Sequence, residues 1–479
     1  MTKITLNGRE LEVDASKPLI AACDTAGIDV PRYCYHPGLE PVGSCRICQV
    51  EVSEGGRPAR VMAACRTQVT EGMVVNTEAA GAHDARRECL EFLLKNHPLD
   101  CPICDKAGEC TLQDYSFQEQ QAASRSTEPR ATLEKRVDLG EVIMLDQERC
   151  ILCTRCVRFQ EEVTKKPELT NAGLASNSYI TTFAGRPLTG NYQGNLADVC
   201  PVGALTLKPF RFQARVWNLE KSSSTCAECS RGCSISVEVL RRGDVKRIRP
   251  VFNPDVNQWW MCDTGRFSFP EVNDAERLTG GLIASGDDLM GVTTGEAIRH
   301  AAGVLASSSK TALLASPFLT VEEAAEVKVL GEAVGAELLF VSPDPNELKD
   351  DLLHTGDPCP NRNGLEQAGF KAISPADAAT RVTGADAAIL VGERILKLLA
   401  GNSLGSTKLV TLDTAACLAS GVEACISIPF YVEKAGTWIN VDGHIGRLTI
   451  ARPIPASVQP LERSLVELTK SLSRAGASV

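Results

Sequence analysis

Residues 149–159 read RCILCTRCVRF, and residues 198–205 read DVCPVGAL. The first stretch spaces three cysteines as C-x2-C-x2-C, and the second supplies a cysteine followed by proline. Bacterial ferredoxins hold [4Fe–4S] clusters with this pattern, and a further cysteine four residues on binds a second cluster. Gln160 occupies that position here. The pattern therefore predicts one [4Fe–4S] cluster, held by Cys150, Cys153, Cys156 and Cys200.

Upstream, residues 97–110 read HPLDCPICDKAGEC. One imidazole and three thiolates in the spacing H-x3-C-x2-C-x5-C suit either a [4Fe–4S] cluster or zinc. A helical pattern over Ala82–His97 puts the histidine at a helix end beside the cysteines. This position favours a ligand role over that of a surface or capping histidine, in which case three thiolates and a water or another ligand would complete the site. The predicted ligands of this second set are His97, Cys101, Cys104 and Cys110.

A first set lies nearer the amino terminus, in YCYHPGLEPVGSCRICQVEV at residues 33–52. Gly38 and Gly43 allow this loop to wrap closely around a cluster, so that backbone N–H groups can donate to sulfur. A zinc ribbon, the alternative, favours two C-x2-C knuckles, and only one is present. The spacing C-x10-C-x2-C-x16-C predicts a [2Fe–2S] cluster held by Cys34, Cys45, Cys48 and Cys65.

A fourth set follows downstream with the spacing C-x2-C-x3-C-x28-C and is succeeded by Gly265-Arg266. A [4Fe–4S] cluster fits these four thiolates, and zinc stays open as the alternative. The ligands are Cys226, Cys229, Cys233 and Cys262. Five cysteines belong to no set and are expected in the hydrophobic core: Cys23, Cys89, Cys359, Cys417 and Cys425.

Composition limits the function classes. The chain has 479 residues and 20 cysteines, and its start shows no export signal, so close-spaced cysteines indicate metal ligands rather than disulfides. The net charge of −10 without a basic run argues against nucleic-acid binding. The best apolar stretch, Ala387–Val391, is stopped by Glu393 and Arg394, so membrane association is expected only through a partner. Motifs for nucleotide binding are absent from the sequence, and no catalytic residue is assigned.

The hydrophobic pattern predicts an α+β multidomain protein. Lys3–Asp14 alternates around Asn7-Gly8, which indicates a two-residue hairpin. Buried strands between helices such as Val321–Val334 indicate a parallel sheet after residue 272, and the glycines of GDDLMGVTTG (286–295) are expected in loops. The predicted domains are a β-grasp [2Fe–2S] ferredoxin-like domain (1–77), a helical [4Fe–4S] domain with one His and three Cys ligands (78–136), a bacterial-ferredoxin-like [4Fe–4S] domain (137–214), a small β-rich [4Fe–4S] domain (215–271) and a truncated α/β domain (272–479).

The order of these sets resembles the large iron–sulfur subunit of NADH-quinone oxidoreductase, respiratory complex I, which is called the G subunit in bacteria. The resemblance rests on YCYHPGL, GSCRICQVEV, NHPLDCPICDKAGECTLQD, RCILCTRCVRF, DVCPVGAL, CAECSRGC and CDTGRF. It implies one [2Fe–2S] and three [4Fe–4S] clusters, with the fourth set off the main electron path. Downstream, EKAGTWINVDGHIGRL (433–448) resembles a segment of molybdopterin oxidoreductases, but the region is short. We expect a truncated domain without molybdopterin.

The resemblance implies an electron-transfer subunit with no substrate chemistry of its own. Its partners would be the NADH- and FMN-binding subunit and other peripheral-arm subunits. The resulting hetero-oligomer would lie on the cytoplasmic face of the bacterial inner membrane, relay electrons toward quinone and be coupled to proton translocation. Three alternatives remain at this point: a molybdenum or tungsten formate dehydrogenase, a subunit of an NAD-linked hydrogenase, and a multi-zinc scaffold.

Overall fold

The computed structural model describes residues 1–119, 124–241, 243–274, 276–286 and 288–476. The chain divides into two compact units, Met1–Trp217 and Asn218–Val479. The finer division into five domains stays a prediction. Within the described ranges, no helix has the length and apolar character needed to cross a membrane.

The first unit opens with the predicted hairpin. Asn7 and Gly8 connect its two strands with φ angles of +50° and +78°, as a type I′ turn requires. A five-stranded sheet follows in the order β2-β1-β5-β3-β4, with β1 parallel to β5, and a short helix contributes Leu19 and Ile20 to its core. The elements are β1 (Thr2–Leu6), β2 (Arg9–Val13), α1 (Leu19–Thr25), β3 (Gln49–Ser53), β4 (Arg60–Ala63) and β5 (Met73–Asn76).

The rest of the first unit consists of short elements separated by cysteine-bearing loops. The helix predicted over Ala82–His97 spans Ala80–Asn96, and His97 is its C-cap. The polar, Gln- and Ser-rich sequence of residues 111–128 predicts a short helix followed by a connector. The helix covers Thr111–Gln118, and residues 120–123 lie outside the described ranges. The elements are α2 (Ala80–Asn96), α3 (Thr111–Gln118), β6 (Val137–Asp138), β7 (Ile143–Leu145), α4 (Arg155–Arg158), which continues as a π-helix over Phe159–Thr164, β8 (Leu169–Ala172), β9 (Tyr179–Thr182), α5 (Gly194–Val199) and β10 (Leu205–Leu207).

The second unit begins with an antiparallel three-stranded sheet, β11-β12-β13, and continues with an eight-stranded sheet flanked by helices. The predicted helix Val321–Val334 is confirmed; a capping box of Thr320 and Glu323 begins it, and Gly335 at φ +62° ends it. The elements are β11 (Leu219–Thr225), β12 (Ser234–Leu240), β13 (Val245–Pro250), α6 (Asp263–Arg266), β14 (Gly281–Ser285), β15 (Asp288–Val292), α7 (Thr294–Ala306), β16 (Thr311–Ala315), α8 (Val321–Val334), β17 (Leu339–Val341), α9 (Arg362–Gln367), β18 (Lys371–Ile373), α10 (Pro375–Thr383), β19 (Ala387–Val391), α11 (Ile395–Leu398), β20 (Lys408–Asp413), β21 (Val422–Ser427), β22 (Gly436–Ile439), β23 (Ile445–Leu448) and α12 (Leu461–Gly476).

The eight-stranded sheet has the order β15-β14-β21-β20-β19-β16-β17-β18. Six strands, from β21 to β18, are parallel, as predicted, but β14 and β15 are antiparallel. The parallel arrangement is thus confirmed for the predicted strands. The placing of every glycine of residues 286–295 in loops was wrong, since Gly291 lies in β15 and Gly295 lies in α7. The cause is an edge hairpin whose outer strand is mostly exposed and so lacks the continuous apolar run of a buried parallel strand.

Candidate iron–sulfur sites

The first ligand set comes together beside the five-stranded sheet. Cys48 directly precedes β3, and Cys65 lies in a 3₁₀ turn after β4. The Cys34 N–H donates to Cys45 Sγ at 3.4 Å. Hydrogen bonds from the thiols of Cys45 and Cys65 lower the pKa of Cys34, and a hydrogen bond with Cys65 lowers the pKa of Cys48. The structure thus links all four predicted ligands through contacts between their side chains.

Gly43 is needed for the course of this loop. Its φ is +70°, and a Cβ atom there would lie 2.6 Å from Arg66 Cγ. The side chain of Arg66, next to Cys65, donates from Nη1 to the Pro41 carbonyl at 2.9 Å. A side chain at residue 43 would therefore push apart the two segments that carry Cys45 and Cys65.

The second set lies between α2 and α3. Cys104 and Cys110 are buried and Cys101 is exposed. Burial raises the pKa of Cys110 to about 11, and the charges of Cys101 and Cys104 act on neighbouring thiols of the set. Burial lowers the pKa of His97 to about 4, so the imidazole is neutral, as a metal ligand must be. The described contacts include none between His97 and a thiol of this set, and its buried Nδ1 atom has no hydrogen-bond partner among the described residues.

The third set lines a cavity. All four predicted cysteines line this small cavity, whose other walls are mostly apolar side chains such as Leu145, Ile180 and Val202. Burial raises the pKa of Cys150 to about 12 and that of Cys153 to about 11. The Leu152 N–H donates to Cys150 Sγ at 3.4 Å. This short loop bends through left-handed conformations at two residues that are not glycine, Leu152 (φ +53°) and Thr154 (φ +59°).

The fourth set lies in the second unit, where β11, β12 and α6 position it. The Cys226 N–H donates to the Cys233 carbonyl at 2.9 Å, and Cys262 is the N-cap of α6. The Gly265 N–H donates to Cys262 Sγ at 3.4 Å. A Cβ atom at Gly265 would lie 2.6 Å from Cys226 Sγ, so glycine lets the backbone approach two ligand sulfurs.

These observations fit iron–sulfur clusters. The third set lines a cavity, and in the fourth set Gly265 leaves room beside two ligand sulfurs. The second set has a buried imidazole nitrogen without a hydrogen-bond partner among the described residues. In the part of the chain that the structure describes, no three histidine, cysteine, aspartate or glutamate side chains are arranged to hold one metal ion. The ligand assignments, and the choice of a cluster over zinc, therefore remain predictions.

Four of the five remaining cysteines are core residues, as expected. Cys23, Cys359, Cys417 and Cys425 expose between 0 and 4% of their surface. The prediction was wrong for Cys89, which is only half-buried. It lies on the face of α2 near the first set, where its thiol donates to the Arg46 carbonyl at 3.3 Å.

The sheet of the second unit contains a site that sequence alone did not reveal. Its parallel strands run in the order β18-β17-β16-β19-β20-β21, so chain order reverses between β16 and β19. In such sheets, ligands bind outside the carboxyl ends of the strands at this reversal. Ser316 follows β16, and Glu393 and Arg394 follow β19.

Side chains of this chain fill that position. Ser316 Oγ donates to the Glu393 carbonyl at 2.5 Å, and the Arg394 guanidinium lies 4.8 Å from the centre of the Phe318 ring. Trp438 Nε1 donates to the Leu319 carbonyl at 3.1 Å and is 1% exposed. Burial raises the pKa of Glu393 to about 7. These contacts join the loops after β16 and β19 to one another and to the segment that carries Trp438.

The segment resembling molybdopterin oxidoreductases supplies part of this packing. Glu433 is fully buried and accepts hydrogen bonds from the Phe430 N–H and from the guanidinium groups of Arg277 and Arg452. Lys434 is paired with Glu323 at 2.7 Å. The contacts of these side chains are therefore structural.

Family models match four successive regions of the chain. They are a 2Fe-2S iron–sulfur cluster binding domain over residues 1–80, the NADH-ubiquinone oxidoreductase-G iron–sulfur binding region over 86–125, the ferredoxin-like domain of NADH-quinone oxidoreductase subunit 3 over 140–206, and the molybdopterin oxidoreductase Fe4S4 domain over 219–274. Together with the fold and the four cysteine sets, these matches define a multidomain iron–sulfur protein with its domains in the predicted order.

Curated relatives of this chain are subunits of NADH-quinone and NADH-ubiquinone oxidoreductases. The chain is 40% identical over 328 residues to the NADH-quinone oxidoreductase G subunit of Streptomyces coelicolor, 38% identical over 331 residues to that of Mycobacterium tuberculosis, and 42% identical over 284 residues to the mitochondrial NADH-ubiquinone oxidoreductase 78 kDa subunit of Neurospora crassa. These alignments cover 68%, 68% and 59% of this chain. The chain is therefore related to the G subunits of NADH-quinone oxidoreductases, as its motifs predicted.

The matched regions cover 38%, 41% and 37% of those three relatives, so the chain spans less than half of their length. A solved NAD⁺-reducing [NiFe]-hydrogenase chain aligns at 28% identity over 45% of this chain and 91% of that chain, with a TM-score of 0.40, too low to equate the folds. The formate dehydrogenase and hydrogenase alternatives are not favoured by the curated relatives.

Proposed function

We propose that this chain carries electrons as the large iron–sulfur subunit of an NADH-quinone oxidoreductase. When bound, its clusters would take up and release single electrons, so this chain makes and breaks no substrate bond. The observation that carries the proposal is the presence of four separate ligand sets, each of which lies inside the region that one iron–sulfur family model matches.

Each set has the donors that its cluster needs. Cys34, Cys45, Cys48 and Cys65 would hold a [2Fe–2S] cluster; three [4Fe–4S] clusters would be held by His97 with Cys101, Cys104 and Cys110, by Cys150, Cys153, Cys156 and Cys200, and by Cys226, Cys229, Cys233 and Cys262. Backbone N–H groups that donate to sulfur in the first, third and fourth sets would stabilise the reduced clusters.

The three sets of the first unit adjoin one another. Arg158 Nη2 donates to the Cys34 carbonyl at 2.5 Å and so joins the loops of the first and third sets. A Cβ atom at Gly203 would lie 2.2 Å from Cys104 Sγ, so the loop after Cys200 packs directly on the second set. This continuity supports electron transfer between the sets inside one folded unit.

The α/β domain of the second unit has a structural role in this proposal and binds no molybdopterin. The support is the packing of Ser316, Phe318, Leu319, Arg394 and Trp438 at the point where strand order reverses. A cofactor there would have to displace side chains that are almost fully buried.

The partners follow from the relatives. We infer a hetero-oligomer with an NADH- and FMN-binding subunit and other peripheral-arm subunits, which relays electrons toward quinone and is coupled to proton translocation. The chain would lie peripherally at the cytoplasmic face of a bacterial inner membrane, without inserting into it. Its net charge of −10 fits protein partners rather than nucleic acid.

Replacing Cys45 tests the proposal. In Cys45→Ser, we expect the electron paramagnetic resonance (EPR) signal of the binuclear cluster to disappear and the tetranuclear signals to remain, because each set is independent in its ligands. Cys23→Ala is the matched control, since Cys23 is a buried core thiol of the same domain outside the set. An unchanged spectrum in the Cys45 variant would refute the assignment.

A further inference from the structure

Arg155 joins the loops of two predicted ligand sets. Its Nη2 atom donates to the carbonyl of Tyr35, the residue after Cys34, at 2.5 Å. Its Nη1 atom donates to the carbonyl of Val199, the residue before Cys200, at 3.3 Å. One guanidinium therefore lies between the first set and the third.

The electrostatic surroundings of Arg155 come from the same two sets. The thiols that act on the charge of Arg155 are Cys153 and Cys200 of the third set and Cys45 and Cys34 of the first. Its buried Nε atom has no hydrogen-bond partner among the residues that the structure describes. Because a guanidinium stays protonated in proteins, a positive charge is held among thiolates of both sets.

We propose that Arg155 is a positioning residue that raises the reduction potentials of the first and third clusters together. The inference rests on the proposed function, because it requires both clusters. An added electron makes each cluster more negative, and a fixed positive charge nearby favours that change. Its hydrogen bonds next to Cys34 and Cys200 hold the charge at the same place relative to both ligand loops.

The test compares variants of the full-length chain with its clusters in place, by redox titration followed with EPR spectroscopy. Arg155→Met removes the charge and Arg155→Lys keeps it. Arg186→Met is the control for net charge, because Arg186 is exposed and stacks on Phe183. In Arg155→Met, we expect the ratio of reduced to oxidised cluster at a fixed potential to fall at least tenfold for both clusters, about 59 mV for a one-electron couple. Arg155→Lys and Arg186→Met should stay close to the unsubstituted protein.

The outcomes separate this inference from the proposed function. Unsubstituted protein without cluster signals would refute the proposed function. Normal signals with potentials that Arg155→Met leaves unchanged, or shifts for one cluster alone, would overturn the inference. If Arg155→Met loses the first and third clusters and Arg155→Lys retains both, the shared role is supported. If Arg155→Met loses only one of the two clusters, the shared role is overturned. An equal shift in Arg155→Lys would also overturn it, since the charge is kept.

Discussion

Gly203→Ala tests whether the second set holds a cluster, although Gly203 lies in the loop after Cys200. The new Cβ atom would lie 2.2 Å from Cys104 Sγ, and ordinary contact begins at 3.4 Å, so the sulfur would move by 3.4 − 2.2 = 1.2 Å. Metal–ligand distances tolerate only about 0.2 Å. The φ angle of Gly203 is outside the left-handed region, so alanine adds a steric contact without backbone strain.

We therefore expect Gly203→Ala to lose the second cluster, which removes about four of about fourteen iron atoms, and to destabilise the unit by about 1–3 kcal/mol through overpacking. Iron analysis and EPR spectroscopy of the purified chain measure the loss. Gly303→Ala is the matched control, because this exposed glycine of α7 has no described atom within 4 Å of an added Cβ. Full iron content with all signals present, or a loss restricted to the third cluster, would refute the reasoning.

Three further predictions use the same chain. His97→Cys should keep the iron content and lower the potential of the second cluster, because a thiolate is more negative than an imidazole; an unchanged potential in a redox titration would speak against ligation by His97. Burial raises the pKa of Glu393 from 4.5 to about 7. The protonated carboxyl therefore contributes up to about 3 kcal/mol to the free energy of unfolding, a contribution that is fully present below pH 4.5 and lost as pH rises through 7. In urea unfolding followed by tryptophan fluorescence, Glu393→Gln should therefore lose less stability than the unsubstituted chain between pH 5 and 8, and equal losses would contradict this. Lys434→Met leaves the Glu323 carboxylate buried without its cation and should lower the free energy of unfolding by about 3–5 kcal/mol in the same assay. The double variant Glu323→Gln/Lys434→Met should recover part of this loss. A loss below about 1 kcal/mol in Lys434→Met would contradict a buried ion pair.

Features set by neighbouring residues were predictable. The Asn7-Gly8 hairpin, the helix that ends before His97 and the loop of Cys150, Cys153 and Cys156 each depend on a few adjacent residues whose spacing carries the signal. Contacts between cysteines in the first and fourth sets, and a shared cavity in the third, agree with these spacings, while the ligand sets themselves stay predictions.

Features set by contacts between distant residues were not predictable. Arg155 lies within the cysteine motif CTRC, and a charge between ligands was a possible signal, but its bond to Tyr35, 120 residues away, depends on tertiary structure. The packing of Trp438 on Leu319 and the antiparallel pairing of β14 with β21 have the same origin. The burial of Cys89 was predicted wrongly because hydrophobic periodicity indicates on which face of a helix a residue lies but does not indicate which residues cover that face.

The central claim is that the chain holds one binuclear and three tetranuclear iron–sulfur clusters. Analysis of iron, acid-labile sulfide and zinc in the purified full-length chain, with EPR spectra of its reduced state, tests it most directly. We predict about fourteen iron atoms, 2 + 4 + 4 + 4, with a similar amount of sulfide and both binuclear and tetranuclear signals. A colourless protein with stoichiometric zinc and little iron would contradict the claim.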